Sequence, residues 1–135
     1  MSTLTKPSVS SLGRRHRQLR VLVADNHADT VDGYGLYLAA VGVDAQTATD
    51  GATAAGLAKK TLPDVIVLDV RMPGLTGPDV VRILRADQAT AGIPIILLSG
   101  APIDEATLGG ADAAVMKPCL PADLFAVIRR YARRA

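Results

Sequence analysis

The stretch Pro63-Asp64-Val65-Ile66-Val67-Leu68-Asp69-Val70-Arg71-Met72-Pro73-Gly74 decides the fold. Four apolar residues in a row, without alternation, describe a strand covered on both faces. Pro73, Gly74 and Gly77 mark the loop that follows. Asp69 therefore stands at the carboxyl end of a buried strand, where a carboxylate is costly unless it has a task or a partner.

Working outward, the same grammar repeats. Val21-Leu22-Val23-Ala24 is a first strand, followed by polar Asp25-Asn26-His27-Ala28-Asp29, with Asp29 placed to start a helix. Val31, Leu36, Leu38 and Val41 form its apolar face and Gly42 its stop. Val43 to Thr49 alternates and reads as a weaker strand near a sheet edge. Asp50-Gly51 opens an Ala-rich helix ending near Lys59-Lys60, and Pro78 begins a helix running to about Asp87. Ile93 to Leu98 is a fourth strand, Asp104 to Leu108 a short helix, Ala113 to Met116 a fifth strand, and Pro121 to Arg134 a closing helix. Strands alternating with helices through short connections imply a doubly wound α/β domain: a parallel sheet with helices on both faces. Such domains place their chemistry at the carboxyl ends of the strands.

Composition agrees. The chain has 135 residues, 49% hydrophobic, 21% charged and only 3% aromatic, so its core is built from Val, Leu, Ile and Ala. The single cysteine, Cys119, excludes an intramolecular disulfide and a cysteine-cluster zinc site. No apolar run reaches the roughly 20 residues of a membrane span, and a soluble, cytoplasmic protein is expected. Residues 1–20 hold Lys6, Arg14, Arg15, Arg17 and Arg20 without an acidic residue. The remaining chain has 10 basic and 13 acidic residues, a formal −3. Residues 1–18 read as a basic, solvated arm with no aromatic residue to stack on a base, and residues 19–135 as the domain. Nucleic-acid binding is not expected of the arm.

The strand ends gather a definite set of groups. Asp25 and Asn26 follow strand one, Asp69 strand three, Ser99 strand four and Lys117 strand five. Carboxylates can hold a hard cation such as Mg²⁺, which takes oxygen ligands. An ammonium group then offsets the charge of a phosphoryl group that a carboxylate attacks.

Val-Leu-Val-Ala-Asp25, Asp-Val-Ile-Val-Leu-Asp69-Val-Arg-Met-Pro-Gly, Ile-Ile-Leu-Leu-Ser99-Gly and Met-Lys117-Pro118 resemble, in order, the four signatures of response-regulator receiver domains of two-component signalling. The resemblance covers about residues 19–135. It implies a flavodoxin-like five-stranded sheet of order 2-1-3-4-5 and a Mg²⁺-dependent phosphoacceptor. Asp69 then matches the phosphorylated aspartate, and Asp25 and Asn26 match the pair that follows strand one. Arg71 matches the position whose backbone carbonyl joins Asp25, Asn26 and Asp69 at the metal. Ser99 matches the hydroxyl residue that moves toward the phosphoryl group, and Lys117 the lysine that pairs with its oxygens. The implied donor is a histidine kinase or a histidine phosphotransfer protein. The output is expected to be contact with a downstream protein, homodimerisation or phosphate relay, since 135 residues leave no room for an output domain.

Three departures stand out. Asn26 replaces a carboxylate, which predicts weaker Mg²⁺ binding. Ala114 stands where relatives carry the aromatic residue of the switch, so that ring is absent. Ser99 and Lys117 are 18 positions apart, about one helical turn fewer than expected, so the fourth helix is shortened.

Blander readings sit beside these. Asp69 could cap its own loop, Ser99-Gly100 could be only a turn, and Lys117 a solvated loop residue. His27 borders the acidic site, but one histidine beside hard oxygen ligands is expected on the surface. Cys119 reads as a small, partly buried residue. An alternative function is a degenerate receiver serving as a phosphorylation-independent scaffold. An enzyme is not expected: no G-x-G-x-x-G or GK[ST] loop follows strand one, and Arg71 occupies the place of the second aspartate of aspartyl-phosphate hydrolases.

Overall fold

The computed structural model describes residues 17–132. Its elements run β1 (Arg20–Ala24), α1 (Ala28–Ala40), β2 (Asp44–Ala48), α2 (Gly51–Thr61), β3 (Val65–Asp69), α3 (Gly77–Arg85), β4 (Ile95–Ser99), α4 (Glu105–Leu108), β5 (Ala113–Met116) and α5 (Pro121–Ala132). The strands form one parallel sheet of order β2-β1-β3-β4-β5. This is the doubly wound, flavodoxin-like arrangement expected, with β2 at one edge.

The period-2 geometry of a strand splits the apolar runs into two cores. Leu22, Ala24, Ile66, Leu68, Ile95 and Leu97 face α2 and α3, whose Ala54, Ala58, Val80, Val81 and Leu84 cover them. Val21, Val23, Val65, Val67, Ile96 and Leu98 face the other way, against Tyr34 and Leu38 of α1 and Leu124 and Ile128 of α5. Each fully buried Val, Leu or Ile among them contributes about 1.5–3 kcal/mol.

Several boundaries differ from the sequence reading. Helix α1 begins before Asp29, with His27 as its N-cap, because the Asp25 carboxylate takes the His27 N–H (2.9 Å) and turns the chain at once. Its buried face is Val31, Tyr34 and Leu38, at spacing i, i+3, i+7, while Leu36 is 74% and Val41 43% exposed. Leu36 lies two residues beyond Tyr34, on the opposite side of the helix. Strand β4 starts at Ile95 because Ile93 N–H closes a turn onto Thr90 O (3.1 Å). Helix α3 stops at Arg85, where the buried Thr90 hydroxyl donates to Leu84 O at 2.7 Å.

Residues 1–16 of the expected arm, and Arg133 and Arg134 at the end of the closing helix, lie outside the described residues. The last two residues assigned to the arm are anchored. Arg17 pairs with Asp64 (2.8 Å) and the Gln18 amide donates to Gly42 O (3.1 Å). Among the described residues no helix is long and apolar enough to cross a membrane.

Candidate functional site

The sheet register brings the four strand ends to one edge. Ala24 stands beside Leu68, so Asp25 emerges next to Asp69. Ser99 stands beside Met116, so Lys117 emerges on the far side, with its N–H held by Ser99 O (2.8 Å). The loop after Asp69 is pinned close by Gly77, whose N–H donates to Val70 O at 3.0 Å. A Cβ at Gly77 would lie 2.5 Å from the Asp69 carbonyl, so only glycine lets α3 start this near the strand end. Thr76 and Asp79 form a capping box that fixes the start of α3.

Asp69 is 4% and Asp25 0% exposed. The Lys117 ammonium bridges them, 2.7 Å from Asp25 Oδ2 and 3.2 Å from Asp69 Oδ2. The other oxygen of Asp69 accepts from Arg71 N–H (3.3 Å), and the other oxygen of Asp25 accepts from His27 N–H. Burial and then the charge of Asp25 push the Asp69 carboxyl above the ordinary carboxylate range, only partly offset by Lys117. At Asp25 burial acts in the same sense, but Lys117 and the His27 backbone and imidazole outweigh it and hold that carboxyl low. Lys117 is raised: the two carboxylates outweigh its partial burial.

Of the site residues read from the sequence, Asp25, Asn26, Asp69, Arg71, Ser99 and Lys117 lie at this edge, while Ala114 is exposed on β5. A cleft of about 730 Å³ is lined by Asn26, Asp69, Arg71, Ser99 and Lys117, and extends past Ala101, Pro102 and Ile103 toward Thr107. The Ser99 hydroxyl is turned to its own loop, donating to Ala101 O and accepting from Ala101 N–H. Helix α4 has four residues and buries none of them, in line with the shortened helix expected. The cleft is therefore open on that side.

One contributor was not read from the sequence, and a second was read only as a surface neighbour of the site. The Tyr34 hydroxyl donates to Cys119 O (2.7 Å), tying α1 to the turn that carries Lys117. Its signal was the i+3 spacing from Val31. His27 is exposed, as expected, yet its Nδ1 points inward to Asp25 Oδ1 at 3.0 Å. Asp25, His27 and Asp69 thereby bring three ligand atoms within 4.8 Å of one another.

The fit of this site to a divalent cation rests on its donors. Two buried carboxylates, an amide and an imidazole converge, and Asp25 Oδ2 has an ionic contact but no hydrogen bond of good geometry. That set suits a divalent ion.

Comparison with known proteins agrees with this geometry. The response regulator receiver domain family matches residues 21–129. The DNA-binding response regulator MtrA of Mycobacterium tuberculosis is 38% identical over 120 residues, covering 85% of this chain and 51% of MtrA. The chain spans about half the length of the curated relatives it matches. Among solved structures, the chemotaxis response regulator CheY4 of Vibrio cholerae superposes with a TM-score of 0.77 at 29% identity, over 84% of this chain and 98% of that one. The receiver domain of the sensor histidine kinase PA1611 of Pseudomonas aeruginosa has the same fold (TM-score 0.78, 22% identity, 86% and 98% covered) and holds a magnesium ion in its active-site cleft. The chain belongs to the response regulator receiver domain family of two-component signalling.

Proposed function

We propose that Asp69 accepts a phosphoryl group from the phosphohistidine of a histidine kinase or phosphotransfer protein. The observation that carries this reading is the Lys117 ammonium held between the Asp25 and Asp69 carboxylates at the floor of an open cleft. A carboxylate oxygen of Asp69 forms the new bond to phosphorus as the P–N bond breaks, and the electron pair leaves with the imidazole. Lys117 keeps Asp69 ionised against burial and then faces the phosphoryl oxygens. Arg71 N–H orients the carboxylate. The Ser99 hydroxyl, once released from Ala101, donates to a phosphoryl oxygen.

Asp25, Asn26, Asp69 and the Arg71 carbonyl would hold Mg²⁺. When bound, the ion neutralises charge that develops on the transferred group. The domain works in the cytoplasm and is read out through protein contact. The DNA binding of MtrA belongs to that longer protein.

The test is incubation with a divalent cation and acetyl phosphate, read by intact mass. A gain of one phosphoryl group that Asp69→Asn abolishes supports the reading. No gain at any cation concentration supports a phosphorylation-independent scaffold, the alternative favoured by the engagement of the Ser99 hydroxyl with its own loop.

A further inference from the structure

The turn that carries Lys117 is tied on both sides of Pro118. Ahead of it, Lys117 N–H donates to Ser99 O (2.8 Å) and fixes the end of β5. Pro118 itself has no N–H to offer. Behind it, Cys119 O accepts from the Tyr34 hydroxyl at 2.7 Å. This second tie stands beside open space. A groove of about 580 Å³ runs between the outer side of α1 and the turn, lined by Thr30, Gly33, Tyr34, Pro118, Cys119 and Pro121. A Cβ at Gly33 would meet no atom within 4 Å. The turn therefore has room to shift on this side, and the Tyr34 bond restrains it.

The anchor is rigid. Tyr34 is 5% exposed, and its ring belongs to the core shared by Leu38 of α1 and by Leu124 and Ile128 of α5. A ring enclosed by close packing holds its hydroxyl in one place. The other end of the linkage uses that precision. The Lys117 ammonium stands 2.7 Å from Asp25 Oδ2 and 3.2 Å from Asp69 Oδ2. A four-carbon stem can follow a small shift of its backbone, but two contacts from one nitrogen limit where that nitrogen can stand. Misplacing a positioned group by about 1 Å can cost up to about a hundredfold in rate.

We propose that Tyr34 is a positioning residue for phosphoryl transfer: its bond to Cys119 O sets where the Lys117 ammonium stands between Asp25 and Asp69. The inference rests on the phosphoacceptor reading given above. Tyr34 touches neither the acceptor nor the transferred group. It acts through the turn, and so through Lys117, by joining the buried face of α1 to the segment that follows β5. Phenylalanine at this position fills the same core and removes only the bond, which separates positioning from packing.

The experiment compares the full chain with Tyr34→Phe, Lys117→Met and the double variant, each shown to be folded by thermal melts. Phosphorylation by acetyl phosphate and Mg²⁺ is followed by intact mass. In parallel, reductive methylation of the folded proteins is read at Lys117 by peptide mass, with exposed Lys59 and Lys60 as internal references. Tyr34→Phe is expected to slow phosphorylation about tenfold, a part of what exact placement contributes. It should also raise methylation of Lys117 severalfold and leave Lys59 and Lys60 unchanged. Added to Lys117→Met, it should slow the reaction no further, because a residue that acts through another has no effect once that other is gone. An unchanged rate in Tyr34→Phe, with the parent phosphorylated, overturns this inference alone. So does a slower rate with Lys117 methylation unchanged, or a loss of the same factor in the Lys117→Met background, since either assigns Tyr34 a structural role only. A parent that takes up no phosphoryl group overturns the phosphoacceptor reading, and this inference with it.

Discussion

The sheet has a thick half and a thin one. Strands β1, β3 and β4 are buried almost throughout, and α3 sinks Val80, Val81 and Leu84 into the core beneath them. Across the β4–β5 boundary the pattern changes: β5 alternates half-buried and exposed residues, and α4 has no fully buried residue, only Leu108 packing partly against the core. Asp69, the proposed acceptor, grows from the thick half. Lys117, its partner, grows from the thin one. A carboxylate that must be met within hydrogen-bond distance needs a rigid base, and close packing supplies it. On the thin side, Arg85 provides the rigidity that a longer helix would have given. Its guanidinium donates to Gly110 O (2.9 Å), Ala91 O (2.9 Å) and Ile93 O (2.7 Å) and pairs with Asp112 (2.9 Å). Asp112 in turn accepts from Ile95 N–H (2.8 Å), so one side chain joins α3 to both loops that flank β4.

The hardest test of this contrast is a cavity in the thick half. Leu97→Ala, at a fully buried position on β4, should lower the unfolding free energy by about 3–4 kcal/mol in chemical denaturation. A loss under 1 kcal/mol would mean that the half is not close-packed. Next comes the strut. Arg85→Ala removes charged hydrogen bonds to three carbonyls and a carboxylate and should cost about 2 kcal/mol. The Arg85→Lys variant should recover less than half of that, because a single ammonium cannot span the same acceptors.

The helix start beside the acceptor comes third. Thr76→Ala removes the hydroxyl that accepts from Asp79 N–H (3.2 Å) and should cost about 1 kcal/mol. Because α3 begins against the Asp69 carbonyl, the same variant should also slow phosphorylation from acetyl phosphate. A stability loss with an unchanged rate would separate the cap from the site.

Asp69 itself should work against stability. Burial and Asp25 raise its pKa in the folded state. A raised folded pKa gives stability that is complete below the unfolded value, about 3.9 for aspartate, and is lost as the pH rises through the folded value. Asp69→Asn removes that loss. Its melting temperature should exceed the parent's at neutral pH, and the difference should close as the pH falls below the ordinary carboxylate range. A difference that persists at low pH would place the effect in packing and not in charge.

What the sequence made legible follows the same division. Val65 to Leu68 and Ile95 to Leu98 announce themselves because strands buried on both faces leave no room for alternation, and their ends then locate Asp69 and Ser99. Asp25 and Lys117 follow from strand order. The rest depended on which way side chains turn. Leu36 and Tyr34 are both compatible with a helix, and only the neighbouring sheet decides that Tyr34 goes inward. The His27 ring could face water or Asp25, and the choice is made by the backbone bond that starts α1. The Ser99 hydroxyl has its own loop within reach and bonds Ala101 on both sides of its oxygen. Arg85 reads as a last-turn cation, and nothing local marks it as the strut between two loops.

The smallest expected effect lies on β5. Met116 is 52% exposed, and Ala114, two residues before it on the same outward face of β5, offers it no large neighbour. Met116→Ala should change the unfolding free energy by no more than about 0.5 kcal/mol, since little apolar area returns to water that was not already there. The same substitution should leave phosphorylation of Asp69 unchanged, because Lys117 is held by its backbone bond to Ser99 O and by the Tyr34 tie to Cys119 O, not by packing of its neighbour. Denaturation measured at two protein concentrations checks the first point. A loss above about 1 kcal/mol at the higher concentration alone would mean that a second copy covers this face, and the contrast between the halves would then hold only for the monomer.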